Sequence, residues 1–180
     1  MPALRSVALH MYTHRLLAHI TAPALDSVFL YSDMHCEGDP TESLLDLVRR
    51  SKPPIRSFEL QDVMHRPSEA LVYCLKQMDG LRHLILDDVL WEAGEVPRTM
   101  AVLKRLVCDE DRRPILPKLR SLSVQFRTGP QTSLLSEIRA LLSSVRRSRR
   151  EACICAGQAV VPLAEFQTNA GELLEGDMAQ

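Results

Sequence analysis

One short apolar motif recurs along this chain of 180 residues and constrains its fold more than any other feature. Each copy carries apolar residues at its first, fourth and sixth positions. The first positions fall at Leu4, Leu25, Ile55, Leu81 and Leu119, and a weaker sixth copy occupies Pro162–Phe166. Because one unit of this size cannot bury its own apolar face, the recurrence predicts a stack of similar units. A stacked architecture favours a binding function over catalysis.

The copies are irregularly spaced. Successive first positions lie between 21 and 38 residues apart, whereas regular leucine-rich repeats run about 20–29 residues and carry Asn or Cys after the strand. The only asparagine, Asn169, is expected to lie far from any repeat, so no asparagine ladder is predicted. The sequence therefore predicts a degenerate relative of that repeat, with units of variable length.

Segments with a helical period separate most of the motifs. Their apolar residues recur at spacings of three and four, which places them on one helix face. A shorter link contains Leu16, Leu17 and Ile20 and is either a turn or a second extended piece. The longer segments are predicted to begin at Asp39-Pro40-Thr41, at Ser68, after Gly94, and at Thr132 or Ser133.

Alternation of strands and helices predicts an α/β fold with parallel strands and right-handed crossovers. The predicted architecture is an irregular leucine-rich-repeat solenoid of five to six repeats over residues 1–168, with a curved parallel sheet and helices on its convex face. No β-hairpin is expected, because no Asn-Gly or Asp-Gly pair joins two apolar strands. Residues 169–180 are predicted to form a flexible acidic tail. The strand Leu4–Leu9 is expected to be an uncapped edge that promotes self-association.

Composition excludes several classes of partner. The net charge of −1 supplies no general attraction to nucleic acid or anionic membranes. No apolar run approaches the length of a membrane span, and the first residues do not resemble a signal peptide. Five cysteines at unrelated spacings are typical of a reducing compartment. We therefore expect an intracellular protein, cytoplasmic or nuclear, that binds neither nucleic acid nor membrane.

Few residues suggest catalysis or metal binding. His10 and His14 are four residues apart, but His10 ends a predicted strand and no acidic ligand follows. Cys153-x-Cys155 is the only close thiol pair, and a zinc site normally needs further ligands that nothing downstream supplies. No nucleophile elbow, phosphate loop, dinucleotide fingerprint or zinc-protease helix is present. The sequence therefore predicts no enzyme activity, no metal and no cofactor.

The basic run Arg146–Arg150 has two interpretations. Cations in the last turn of a helix stabilise its negative end, each by about 0.3–1 kcal/mol. The same run is typical of a nuclear-localisation signal or a phosphate-binding patch. Both interpretations remain open from the sequence alone.

The motifs and the helix ends together resemble the leucine-rich-repeat region of fungal F-box proteins. The resemblance covers roughly Pro2–Gln167 and rests on Pro23–Val28, Leu47–Ser51 and Ser148–Arg150. It implies a substrate-recognition role in a cullin-type ubiquitin ligase. The sequence lacks the F-box itself, so we expect this chain to bind no ligase adaptor unless an F-box lies upstream. The alternative is a structural repeat scaffold, or a truncated remnant, unrelated to ubiquitin.

Alignment of the motifs predicts one binding surface for an unknown protein partner. Residues flanking the fourth and sixth positions should point out of the concave sheet face. Aromatic side chains at the centre of such a patch are typical binding hot spots. The alternative is that a loop or the tail covers them. The predicted surface consists of Phe29, Tyr31, Glu59, Gln61, His83, Ile85 and Asp87.

Overall fold

The architecture follows from strands and helices that alternate along most of the chain. The computed structural model describes residues 3–31, 39–61, 68–89, 98–109, 111–127 and 132–170. The strands are β1 (Ser6–His10), β2 (Ser27–Tyr31), β3 (Ser57–Gln61), β4 (His83–Val89), β5 (Ser121–Arg127), β6 (Cys153–Cys155), β7 (Gln158–Val160) and β8 (Glu165–Thr168). The helices are a 3₁₀ helix (Met11–Ala18), α1 (Pro40–Ser51), α2 (Ser68–Lys76), α3 (Arg98–Leu106) and α4 (Thr132–Ser148).

Six parallel strands form the main sheet in the order β1-β2-β3-β4-β5-β8. In the strand register, residues at the same position of different motifs are paired with one another across the sheet. The predicted alignment of the motifs is therefore confirmed, and the weak sixth copy forms β8. One row of paired residues runs through Ser6, Ser27, Ser57, His83, Ser121 and Glu165.

The core lies between one face of this sheet and a single layer of helices. In the four inner strands β2–β5, side chains at the fourth and sixth motif positions are buried there, as with Phe58 and Leu60 on β3. They join buried helix residues such as Leu44, Leu75 and Ile138 in one apolar cluster. Each helix contacts the next in chain order, from the 3₁₀ helix to α4. The predicted α/β class and parallel pairing of the main sheet are confirmed.

Local sequence explains where α1 begins and ends. The Asp39 carboxylate accepts hydrogen bonds from the Thr41 backbone N–H at 2.8 Å and from the Thr41 hydroxyl at 2.6 Å. Pro40 occupies the first turn, where its missing N–H costs nothing. Lys52 ends the helix in the left-handed conformation, and its N–H donates to the Val48 carbonyl. The helix start predicted at Asp39-Pro40-Thr41 is confirmed.

The expectation that the fold contains no β-hairpin is wrong. Strands β6 and β7 pair in antiparallel fashion beside the main sheet. Ala156 and Gly157 connect them, with φ of 46° and 75°. A two-residue hairpin turn of this kind needs positive φ at both central residues, which Asn-Gly supplies most readily. Here Ala156 adopts that conformation without the usual sequence signal.

The short link after β1 is a 3₁₀ helix, neither of the two forms that the sequence left open. Leu17 of this helix is buried, and Arg50 of α1 donates to the carbonyls of Leu17 and Ile20, both at 2.7 Å. β1 forms the edge of the main sheet, with Leu4 exposed beside it. The expected self-association through this edge stays a prediction.

The fold extends beyond the predicted boundary at residue 168. The Asn169 side chain donates to the Phe126 carbonyl at 2.8 Å and accepts from the Phe126 N–H at 2.9 Å. Ala170 is buried. Asn169 directly follows β8, so the expectation that it lies far from any repeat is wrong. The rest of the predicted tail, 171–180, lies outside the described residues.

None of the helices in the described ranges is long and apolar enough to cross a membrane.

Candidate functional site

The predicted binding residues lie on the sheet face opposite the helices. Side chains alternate along each strand, so the residues flanking the buried positions point away from the core. Six of them are half-buried and His83 is exposed. We call this surface the outer sheet face, and it comprises His10, Phe29, Tyr31, Glu59, Gln61, His83, Ile85 and Asp87.

Two rows of side chains organise the outer sheet face. In the first row, Phe29 pairs with Glu59, which pairs with Ile85. In the second row, Tyr31 pairs with Gln61, which pairs with Asp87. Neighbouring strands of a sheet lie about 4.8 Å apart, so side chains of paired residues on the same face can touch. The structure therefore brings the predicted residues together in one patch.

An aromatic group forms at the β1–β2 end of the outer sheet face. The His10 ring centroid lies 5.3 Å from that of Phe29 and 5.7 Å from that of Tyr31, both in tilted geometry. Aromatic pairs at these separations attract each other beyond simple area burial. The predicted binding residues do not include His10, although the motif alignment places its side chain on the same side of the sheet as that of Tyr31, and the register pairs the two residues.

The other end of the outer sheet face is polar. Gln61 donates to the Glu59 carboxylate at 2.6 Å, and Arg127 donates to Asp87 Oδ2 at 2.8 Å. Asp87 Oδ1 is buried and has no hydrogen-bond partner among the described residues. A buried acceptor without a donor costs about 1–3 kcal/mol, so this oxygen is suited to accept a hydrogen bond from a ligand.

The sequence left open that a loop or the tail covers the predicted surface. The segments that follow the strands, 32–38, 62–67, 90–97 and 128–131, and residues 171–180 lie outside the described residues. The alternative in which they cover the predicted surface therefore stays open.

A second group of functional side chains is a cluster of three cysteines. The sulfur atoms of Cys108, Cys153 and Cys155 all lie within 4.8 Å of one another. The Cys153 and Cys155 sulfurs are 3.6 Å apart. Cys155 is buried and the other two are half-buried. We call this group the thiol cluster.

Neighbouring helix ends bring the thiol cluster together. Cys108 follows the end of α3 by two residues, and β6 begins shortly after the end of α4. Because α3 and α4 are packed neighbours, these ends meet. The Cys108 backbone N–H donates to the Ser148 hydroxyl at 3.2 Å and fixes the junction. Only ligands downstream of Cys153-x-Cys155 entered the sequence-based prediction, whereas the third cysteine of the cluster, Cys108, comes from upstream.

Arg149 lies beside the thiol cluster and is completely buried, with 0% of its surface exposed. Its guanidinium donates to the carbonyls of Leu106 at 2.8 Å, Leu116 at 2.9 Å and Ile115 at 2.6 Å. The arginines on either side within Arg146–Arg150 are exposed. The central cation of the basic run is thus unavailable to a phosphate or a nuclear-import receptor, whereas the exposed ones keep both interpretations open.

Burial governs the charges around the thiol cluster. Desolvation lowers the pKa of the Arg149 guanidinium, and the three nearby cysteines act in the opposite direction and raise that pKa. Burial raises the pKa of the Cys108 thiol to about 12, although Arg149 acts in the other direction. Desolvation also raises the pKa of the Cys155 thiol. In the described part of the chain, no carboxylate forms an ion pair with Arg149.

The two histidines considered as metal ligands do not form such a site with other described residues. His10 points to the outer sheet face and His14 is buried in the 3₁₀ helix. Within the described ranges, the thiol cluster is the one group of three or more ligating side chains close enough to hold a metal ion.

No protein-family model, curated protein or solved structure matches this chain.

Proposed function

We propose that the chain is an irregular leucine-rich-repeat solenoid that binds another protein through the outer sheet face. Six copies of one motif pair in register, and one helix layer packs behind them. This succession of strand and helix is what stacked repeats require. Stacked repeats present a continuous row of side chains to a ligand, which suits them to protein binding.

The observation that carries the proposal is the composition of the outer sheet face. Phe29, Tyr31 and Ile85 are apolar or aromatic, yet they remain only half-buried on the side away from the core. Polar side chains such as Glu59 and Asp87 lie next to them in the same rows. Aromatic and aliphatic side chains mixed with polar groups are common in protein interfaces.

The polar groups indicate the chemistry of the partner. Asp87 Oδ1 accepts a hydrogen bond from no described residue, and Glu59 adds a second carboxylate nearby. The partner we propose is a protein segment with an aromatic or aliphatic side chain for the Phe29–Tyr31 end. It carries a Lys or Arg side chain, or a backbone N–H, for Asp87.

The resemblance to fungal F-box proteins extends the proposal to a biological role. The chain is proposed to be the substrate-recognition region of an F-box-type ubiquitin-ligase receptor. Adaptor binding is proposed only for a longer protein that carries an F-box. The alternative, a structural scaffold unrelated to ubiquitin, predicts no partner at the outer sheet face.

Site-specific photocrosslinking in the producing cells tests this proposal. A photoreactive residue is introduced at Tyr31 or Ile85, and a matched control carries it at Tyr73, an exposed aromatic residue of α2 on the helix layer. We expect one protein to crosslink at Tyr31 and Ile85 but not at Tyr73. Crosslinking at Tyr73 alone, or at no position, would contradict the proposed surface and favour the scaffold.

A further inference from the structure

We propose that Cys108, Cys153 and Cys155 bind one zinc ion as thiolates, with a water molecule in the fourth position. The site is independent of the proposed function, because the thiol cluster and the outer sheet face share no residue. It draws its ligands from two separate parts of the chain, the end of α3 and the strand β6.

The spacing of the sulfur atoms suits a tetrahedral zinc ion. Zinc–sulfur bonds of about 2.3 Å in tetrahedral geometry place the sulfurs about 3.8 Å apart. Cys153 and Cys155 are already 3.6 Å apart, and Cys108 lies within 4.8 Å of both. Small side-chain rotations therefore bring all three sulfurs to bonding distance from one central point. Thiolate ligands select zinc and other soft ions over Mg²⁺ or Ca²⁺.

The buried arginine indicates the charge of the ion. Arg149 is in electrostatic contact with all three cysteines and has no carboxylate ion pair among the described residues. Three thiolates and one Zn²⁺ carry a single net negative charge, which the Arg149 guanidinium balances. A monovalent ion such as Cu⁺ would leave one negative charge uncompensated, and buried charges need a partner. Charge balance therefore favours a divalent ion such as Zn²⁺ over Cu⁺.

Binding at this site is simple ligand exchange. Each thiol releases its proton to solvent as its sulfur displaces a water molecule from the hydrated zinc ion, and no electron is transferred. The bound ion would join the end of α3 to the β6–β7 hairpin, two segments that are distant in sequence. A disulfide between two of the cysteines would instead require an oxidant and would remove the ligands.

Metal titration of the untagged, reduced chain tests the proposal. Co²⁺ serves as a spectroscopic probe, because thiolate coordination gives a charge-transfer band and tetrahedral geometry gives intense visible bands. We expect saturation at one equivalent, displacement of Co²⁺ by Zn²⁺, and at least a tenfold loss of affinity in Cys108→Ser. The matched control Cys74→Ser, which changes a buried thiol outside the cluster, should bind as the wild type does.

Alkylation of the unmodified chain provides a second readout that does not depend on variants folding. Zn²⁺ should slow the alkylation of Cys108, Cys153 and Cys155 and leave the rate at Cys74 unchanged. Absence of the cobalt bands, or equal affinity of Cys108→Ser and wild type, would overturn the proposal. A mass lower by two hydrogens, with a disulfide mapped within the thiol cluster of the protein as isolated, would also overturn it.

Discussion

At the scale of single residues, Arg149 shows how position changes the role of a charge. Within the basic run Arg146–Arg150, only this side chain is withdrawn from solvent. Its three carbonyl partners belong to the end of α3 and to the segment Ile115–Leu116. Hydrogen bonds from a charged donor are stronger than neutral ones. Arg149 therefore joins α4 to two other parts of the fold.

Replacement of this arginine should destabilise the chain strongly. Arg149→Met leaves three carbonyls without their charged donor, and each such loss costs about 1–3 kcal/mol. We expect the free energy of unfolding to fall by about 3 kcal/mol or more, measured by urea denaturation with a chelator and a reductant present. The exposed neighbour Arg147 provides the control. Arg147→Met should change the free energy of unfolding by less than about 0.5 kcal/mol. Equal effects of the two substitutions would contradict the structural role.

The buried thiol of Cys74 predicts a specific loss of stability in alkaline solution. Burial raises its pKa from 9.0 to about 12. The unfolded chain therefore loses this proton first, and stability falls as pH rises from about 9 to about 12. Between about pH 8 and about pH 10, wild type should lose about 1.4 kcal/mol more than Cys74→Ala. Parallel pH profiles of the two proteins would show that this thiol does not contribute.

At the scale of elements, the side chain of Asp39 caps the start of α1 and should add measurably to the free energy of unfolding. Asp39→Ala removes both hydrogen bonds to Thr41 and should lower the free energy of unfolding by about 1–2 kcal/mol. The control Asp46→Ala removes an exposed carboxylate from the same helix and should have little effect. Chemical denaturation of both variants measures the difference. A smaller loss in Asp39→Ala than in Asp46→Ala would mean that this cap does not stabilise α1.

Local patterns predict most of the regular elements and their register. The apolar alternation in motifs such as Val28–Leu30 and Phe58–Leu60 determines which strand face is buried, so the strands could be aligned without a structure. The hairpin escaped prediction because Ala156-Gly157 is an uncommon turn pair. The thiol cluster escaped because Cys108 and Cys153 meet only when α3 and α4 pack together. Such proximity has no signal in either segment alone.

At the scale of the whole molecule, the parallel sheet separates two surfaces with different chemistry. The helices and the apolar core occupy one face, and the outer sheet face occupies the other. The thiol cluster lies at the junction of α3, α4 and the hairpin. A substitution on the outer sheet face should therefore leave the core and the thiol cluster intact, so the proposed partner binding and the proposed zinc binding can be tested separately.

The affinity of the partner captured by crosslinking tests the central claim most directly. The dissociation constant is measured by titration calorimetry for wild type, for the double variant Phe29→Ala and Tyr31→Ala, and for Tyr73→Ala. Loss of two aromatic contacts in a protein interface should weaken binding at least about tenfold, or about 1.4 kcal/mol. Tyr73→Ala, on the helix layer, should bind as wild type does. Unchanged affinity in the double variant, or an equal loss in Tyr73→Ala, would contradict binding through the outer sheet face.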